Sequence, residues 1–151
     1  MILVDTSVWI DHLRASDARL VALLEDGEIV CHPFVLGELA LGTLRRPHEM
    51  LALMTELPQP PEADHGEVML FIARHRLSGA GIGWVDAHLL CSAALGAHTL
   101  WTRYVKLRAA AARAGLGESQ SGNYPTPSSR SMARSSKSVA PRKKLTGPEQ
   151  V

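Results

Sequence analysis

The sequence has 151 residues, of which 46% are hydrophobic, and this is enough for one domain with a sizeable core. A formal net charge of +1 excludes a polybasic nucleic-acid binder and an acidic tail protein. Cys31 and Cys91 lie in apolar contexts without zinc-site or disulfide spacing, so we interpret both as buried free thiols.

The first eleven residues, MILVDTSVWID, predict a strand followed at once by a helix. The apolar run over residues 2–4 suits a fully buried strand, and Thr6 and Ser7 are candidate helix N-caps. Asp5 stands where the strand would end, at the carboxyl edge of the sheet. Ligands bind at that edge in open α/β folds. The alternative is that Asp5 only caps the next helix.

Strands and helices are predicted along the rest of the sequence as well. Apolar runs predict strands over residues 2–4, 28–31 and 98–101. Helical spacing, with Pro and Gly at several ends, predicts helices over residues 7–14, 18–26, 34–44, 47–57, 65–77, 85–95 and 105–114. Strands that alternate with helices favour an α/β fold with a mostly parallel sheet.

The charge changes along the chain. Residues 1–116 carry ten Lys and Arg against thirteen Asp and Glu, a net −3, whereas residues 117–151 carry six against two, a net +4. From residue 117 Ser, Pro, Gly, Arg and Lys dominate, a composition that cannot bury enough surface to offset its ordering entropy. We therefore expect a domain over residues 1–116 and a disordered basic tail over residues 117–151.

No membrane or export signal is expected. Asp5 interrupts the first apolar run after four residues, and the weakly charged span 77–102 contains Asp86, two His and four Gly. The sequence therefore predicts a soluble cytoplasmic protein without membrane partners.

Three carboxylates stand alone in apolar stretches: Asp5, Glu38 and Asp86. Glu38 lies in PFVLGELALGTL, a predicted helix that is apolar nearly all round, so we expect this carboxylate to be buried on most sides. An isolated buried carboxylate is costly, and no Arg or Lys lies within any of the three stretches to compensate it. One shared Mg²⁺ or Mn²⁺ would compensate all three. A helix cap or a partly exposed position is the alternative for each residue alone.

A divalent cation held by carboxylates at a sheet edge is typical of phosphoryl chemistry, because it activates water and neutralises the oxyanion. The Gly79-x-Gly81-x-Gly83 spacing lacks the preceding strand and following Lys of a phosphate-binding loop, so we interpret it as a hinge.

Four segments, DTSVWIDHLR, FVLGELALG, GIGWVDAHLL and TLWTR, together resemble the PIN-domain ribonucleases, and most of all the VapC-type toxins of bacterial toxin–antitoxin pairs. The resemblance covers residues 1–116. It implies a three-layer α/β/α domain with a short parallel sheet, in which Asp5, Glu38 and Asp86 hold Mg²⁺ and cut RNA. It places a supporting hydroxyl at Thr6 or Ser7. It also implies an antitoxin that occludes the site, and a homodimer.

This chain departs from the family pattern after Trp101-Thr102-Arg103. The family usually has a fourth acidic residue there, and this sequence has Tyr104. A phenol has no charge at neutral pH, so we expect a weaker metal site, with Thr102 supplying part of the missing oxygen coordination. The basic tail also lies outside the family pattern.

Three arginines and three tryptophans have alternative interpretations. Arg74, Arg76 and Arg103 flank the predicted site and either bind RNA phosphates or form a solvated face. The three tryptophans, Trp9, Trp84 and Trp101, adjoin apolar runs and are interpreted as core or rim residues rather than base-stacking platforms.

The sequence thus predicts a metal-dependent endoribonuclease of the toxin type. Asp5 and Asp86 would be the principal metal ligands, and Glu38 would position or deprotonate the water or bind a second metal. The alternative is a degenerate PIN domain that binds antitoxin or RNA without cleavage, and Tyr104 is the feature that favours it.

Overall fold

A three-stranded parallel sheet lies at the centre of the computed structural model, which describes residues 1–118. The strands are β1 (Ile2–Val4), β2 (Ile29–Val30) and β3 (Thr99–Trp101), in the order β2-β1-β3. Ile2 pairs with both Ile29 and Thr99, so β1 is the middle strand. Its residues Leu3 and Val4 are fully buried, as expected for a strand covered on both faces.

Seven helices connect and cover the strands. Their bounds are α1 (Thr6–Arg14), α2 (Ala18–Glu25), α3 (Pro33–Leu41), α4 (Pro47–Thr55), α5 (His65–Arg74), α6 (Trp84–Leu95) and α7 (Val105–Arg113). All ten predicted elements exist, and the layered α/β arrangement is confirmed. Helix α6 is the most buried, since it packs against both β3 and α5. None of the helices between residues 1 and 118 is long and apolar enough to cross a membrane.

The ends of several elements differ from the sequence prediction. Helix α3 was expected to reach residue 44 and ends at Leu41, because the chain turns extended at Gly42. Strand β2 was expected over residues 28–31 but is shorter, since the backbone amide of Cys31 donates to the Pro58 carbonyl rather than to the sheet. Both cysteines are free and buried, as predicted.

Gly117 and Glu118 are the first residues of the predicted tail, and both contact the domain. Gly117 forms a parallel bridge with Leu100, and Glu118 forms an ion pair with Arg19. The remainder of the predicted tail, residues 119–151, lies outside the described residues. The division into a domain and a disordered tail therefore stays a prediction.

Candidate active site

Asp5 lies at the carboxyl end of the central strand, as its position after an apolar run predicts. Its backbone amide donates to the Trp101 carbonyl at 2.9 Å, which extends the β1–β3 pairing by one residue. The carboxylate oxygen Oδ2 accepts hydrogen bonds from Ser7 Oγ at 2.6 Å and Thr102 Oγ1 at 2.8 Å. It also caps α1 through a longer contact of 3.4 Å with the Ser7 amide. Asp5 therefore caps α1 and also lies at the candidate site.

Asp5 is 6% exposed, and the two oxygens of its carboxylate differ in their hydrogen bonds. All three hydrogen bonds from residues 1–118 end on Oδ2. Two hydroxyls therefore fix the carboxylate through Oδ2, and Oδ1 accepts no hydrogen bond from the described residues.

Asp86 lies in the first turn of α6. Its Oδ2 accepts a hydrogen bond of 3.0 Å from the backbone amide of Gly83, which holds the side chain at the helix start. Burial raises the pKa of Asp86, the Gly83 hydrogen bond opposes this, and the negative charge of Asp5 adds to the rise. It follows that the two carboxylates, 81 residues apart in sequence, are near enough in space for their charges to interact.

Glu38 is exposed, and the expectation that it is buried on most sides is wrong. Helix α3 turns Val35 and Leu39 into the core, and Glu38 lies beside that face rather than on it. The Glu38 carboxylate accepts a hydrogen bond of 2.5 Å from Thr6 Oγ1. Since Thr6 follows Asp5 directly, this contact connects Glu38 to the site through one intervening side chain.

None of the three carboxylates forms an ion pair within residues 1–118. Nor does this part of the chain contain three His, Cys, Asp or Glu side chains that already converge as a metal cage. The arrangement is a pair of carboxylates whose charges interact, Asp5 and Asp86, with Glu38 connected to it through Thr6. Its negative charge has no basic partner among the described residues.

The PIN domain profile matches residues 2–110. The chain belongs to the PIN-domain family. Two curated relatives, both named Ribonuclease VapC32, come from Mycobacterium tuberculosis strains CDC 1551 / Oshkosh and ATCC 25618 / H37Rv, and each is 55% identical over 117 residues. Each alignment covers 77% of this chain and 94% of the relative. The resemblance to VapC-type PIN domains is thus confirmed.

The donor set of this PIN domain fits a small divalent cation. Mg²⁺ usually retains several waters and binds through one or two protein carboxylates rather than in an all-protein cage. The pair Asp5 and Asp86 offers that number, with the hydroxyls of Ser7 and Thr102 orienting the first carboxylate. The repulsion between the two negative charges also favours a bound cation.

The side chain of Tyr104 contacts the loop over residues 79–83, which contains Gly79, Gly81 and Gly83. Its backbone amide donates to Thr102 Oγ1 at 3.0 Å, so the residue does start at the site edge. Its hydroxyl donates to the Gly81 carbonyl at 2.9 Å, and Gly81 has a φ of +74° that favours glycine. The phenol therefore holds the loop that leads into Gly83 and Asp86.

The three arginines predicted to contact RNA are all exposed, but they do not form one cluster. The guanidinium of Arg103 is paired with Asp17 at 2.7 Å and lies 3.5 Å from Asp11, while its backbone amide donates to Ser7 Oγ. Arg74 is the last residue of α5, Arg76 follows that helix, and neither forms an ion pair within residues 1–118. An RNA-binding role for these residues stays a prediction.

Proposed function

We propose that this chain is a metal-dependent endoribonuclease that hydrolyses RNA phosphodiester bonds as the toxin of a toxin–antitoxin pair. The observation that carries the proposal is the pair Asp5 and Asp86, whose negative charges interact and which has no basic partner among the described residues. The relatives named Ribonuclease VapC32 support the ribonuclease activity, and no described contact favours a binder without cleavage.

Each residue of the site is assigned a role from its contacts. Asp5 and Asp86 would hold Mg²⁺ or Mn²⁺, which when bound neutralises phosphate charge and acidifies a water. Ser7 and Thr102 keep the Asp5 carboxylate in one orientation. Glu38 is exposed and held by Thr6, so it is placed to orient a water or accept its proton at the edge of the site.

Tyr104 has a consequence for metal affinity. A carboxylate at this position would add negative charge to the site, whereas the phenol donates its hydrogen bond to Gly81. We therefore propose a cation site that needs higher Mg²⁺, or Mn²⁺, than one with a fourth acidic residue. An effect of 10–100-fold is typical when a residue supporting a metal site is changed, so a weakened enzyme rather than an inactive one is expected.

The expected antitoxin has a surface to bind beside the site. A groove of about 540 Å³ lies between α1, α3 and α4. Its lining combines apolar side chains, such as Ile10, Leu13 and Met50, with three charged ones, Glu38, Arg14 and Arg45. A partner segment seated in this groove would cover Glu38, which agrees with an antitoxin that occludes the site. The homodimer and the cytoplasmic location implied by the sequence stay predictions.

The test is cleavage of total RNA with added Mg²⁺ or Mn²⁺ by the full chain. Asp5→Asn, Glu38→Gln and Asp86→Asn should each abolish most cleavage, whereas Glu62→Gln, an exposed carboxylate away from the site, should not. Asp86→Asn should also raise the metal-free melting temperature, because it removes the repulsion from Asp5. A site variant with near-wild-type cleavage would show that its residue is wrongly assigned, and RNA binding without turnover would support the non-catalytic alternative.

A further inference from the structure

Beside the active site lies a continuous row of aromatic side chains, which we call the aromatic row: Trp84, His88 and Phe34. The ring centroids of Trp84 and His88 are 4.7 Å apart, and those of His88 and Phe34 are 4.9 Å apart. The row therefore crosses from α6 to α3. These are the two helices that carry Asp86 and Glu38.

The rings of the row are held in place at both ends. His65 contacts the Trp84 ring at 5.2 Å, and the buried His32 contacts the Phe34 ring at 4.8 Å. His88, in the middle, is 8% exposed and meets Trp84 nearly edge to face, at 84°. Because these contacts already fix the rings, a ligand that stacks on them need not order flexible side chains.

The outer rings of the row are open to solvent. Trp84 is 43% exposed, whereas Trp9 and Trp101 are 3% and 6% exposed. Phe34 is 36% exposed. Trp84 is thus the one tryptophan of the sequence that lies at the rim, and its exposed surface is not used by the core.

The row leads to the carboxylates through α3. Phe34 precedes Glu38 by four residues, so their side chains emerge on the same helix face about 6 Å apart. The Glu38 carboxylate contacts Thr6, next to Asp5. A chain whose phosphodiester lies at the carboxylates therefore has its neighbouring bases beside the aromatic row.

The charge of the domain makes stacking more important for RNA binding. Residues 1–118 hold ten Lys and Arg against fourteen Asp and Glu, a net −4. Three of the ten, Arg19, Arg46 and Arg103, are in ion pairs. The other seven can contact phosphates, but the negative net charge of the domain opposes binding of the RNA backbone. Base stacking on aromatic side chains is the other general source of affinity for single strands.

We propose that the aromatic row is a stacking platform for an unpaired base of the RNA substrate, with Trp84 and Phe34 as its exposed faces. The inference rests on the proposed function, since it specifies the form of the RNA at the same site. It requires that a base next to the cleaved bond be unpaired, so that it can stack on the row.

The test is RNA binding by the full chain in EDTA, which removes divalent metal so that binding is measured without cleavage. The probe is a short single-stranded RNA of mixed sequence with a fluorescent label, compared with its duplex and with an abasic version. Trp84→Ala and Trp84→Leu should each weaken single-strand binding about tenfold, since both remove the aromatic face. Trp84→Tyr keeps a face and should retain most of the affinity.

Leu95→Ala is the matched control, because Leu95 is 48% exposed at the opposite end of the same helix and should leave affinity unchanged. Unchanged affinity in Trp84→Ala, or equal weakening for abasic RNA, would overturn the proposal. So would a lower mass of Trp84→Ala in sedimentation with RNA affinity unchanged, because the row would then be a contact between two copies. Wild-type protein that binds through Trp84 but never cleaves with Mg²⁺ would refute only the proposed function.

Discussion

His32 is predicted to make the folded protein less stable as the pH falls, and the substitution His32→Asn tests this. The His32 ring is 1% exposed, and both its nitrogens are engaged. Nδ1 accepts a hydrogen bond of 2.9 Å from the Phe34 amide at the start of α3, so Nε2 carries the proton and donates to Ser92 Oγ at 3.1 Å. A second proton on Nδ1 would point at the Phe34 N–H.

The size of this loss of stability follows from the pKa of His32. Burial, and then the charge of His88, lower the pKa of His32 from 6.5 to about 4. Between these values the unfolded chain binds the proton and the folded chain does not, so stability falls as the pH falls through this window. The full effect below the folded pKa is about 3 kcal/mol, and the part lost between pH 7.5 and pH 5 is about 2 kcal/mol.

The assay is urea unfolding of the full chain at pH 7.5 and pH 5. In wild type the stability lost through His32 should lower the urea midpoint at pH 5 by about 1 M, in addition to smaller changes from other groups. Asn at this position caps α3 but does not titrate, so His32→Asn should lose that part of the pH dependence. His48→Asn, at an exposed position on α4, is the control. If wild type and His32→Asn lose the same stability on acidification, His32 is not held neutral by the fold and the reasoning is refuted.

Two further predictions concern Tyr104 and the tail. Tyr104→Asp should lower the Mg²⁺ concentration for half-maximal cleavage and raise the rate. Tyr104→Phe, which removes only the hydrogen bond to Gly81, should lower stability by at most about 1 kcal/mol without improving metal use. If Tyr104→Asp binds metal no better, the side chain does not face the site. Truncation after Glu118 should leave the melting temperature unchanged, since the ion pair with Arg19 is kept, while salt-sensitive RNA affinity falls with the loss of six basic residues. A large drop in melting temperature would show that residues 119–151 pack on the domain.

The elements of the fold were predictable because each strand is a short apolar run that ends at a polar residue or a turn signal. Asp5 after residues 2–4 is the clearest case. The ends of β2 and α3 were not predictable in the same way. Residue Cys31 is as apolar as a strand residue, and only the tertiary contact of its amide with Pro58 removes it from the sheet.

Within the candidate site, the sequence indicated which side chains are chemically unusual but not how they meet. The absence of nearby Arg and Lys singled out Asp5 and Asp86 in the sequence, and their roles as metal ligands stay a prediction. Only the structure shows that their charges interact. The aromatic row was missed because its members come from two helices. The spacing of Trp84 and His88 by four residues was the only local signal, and by itself it indicates no more than a shared helix face.

Glu38 shows where pattern reasoning failed and what the failure means. A helix that is apolar all round predicts burial on every side, yet α3 buries only Val35 and Leu39 in the core and leaves Leu41 92% exposed. Exposed apolar surface on such a helix is unfavourable unless another surface covers it in the cell. One side of α3 carries Phe34 of the aromatic row, and Glu38 and Leu39 line the groove proposed for the antitoxin. The apolar pattern of α3 led to the wrong prediction that Glu38 is buried. That pattern is explained if α3 contacts RNA and antitoxin as well as the core.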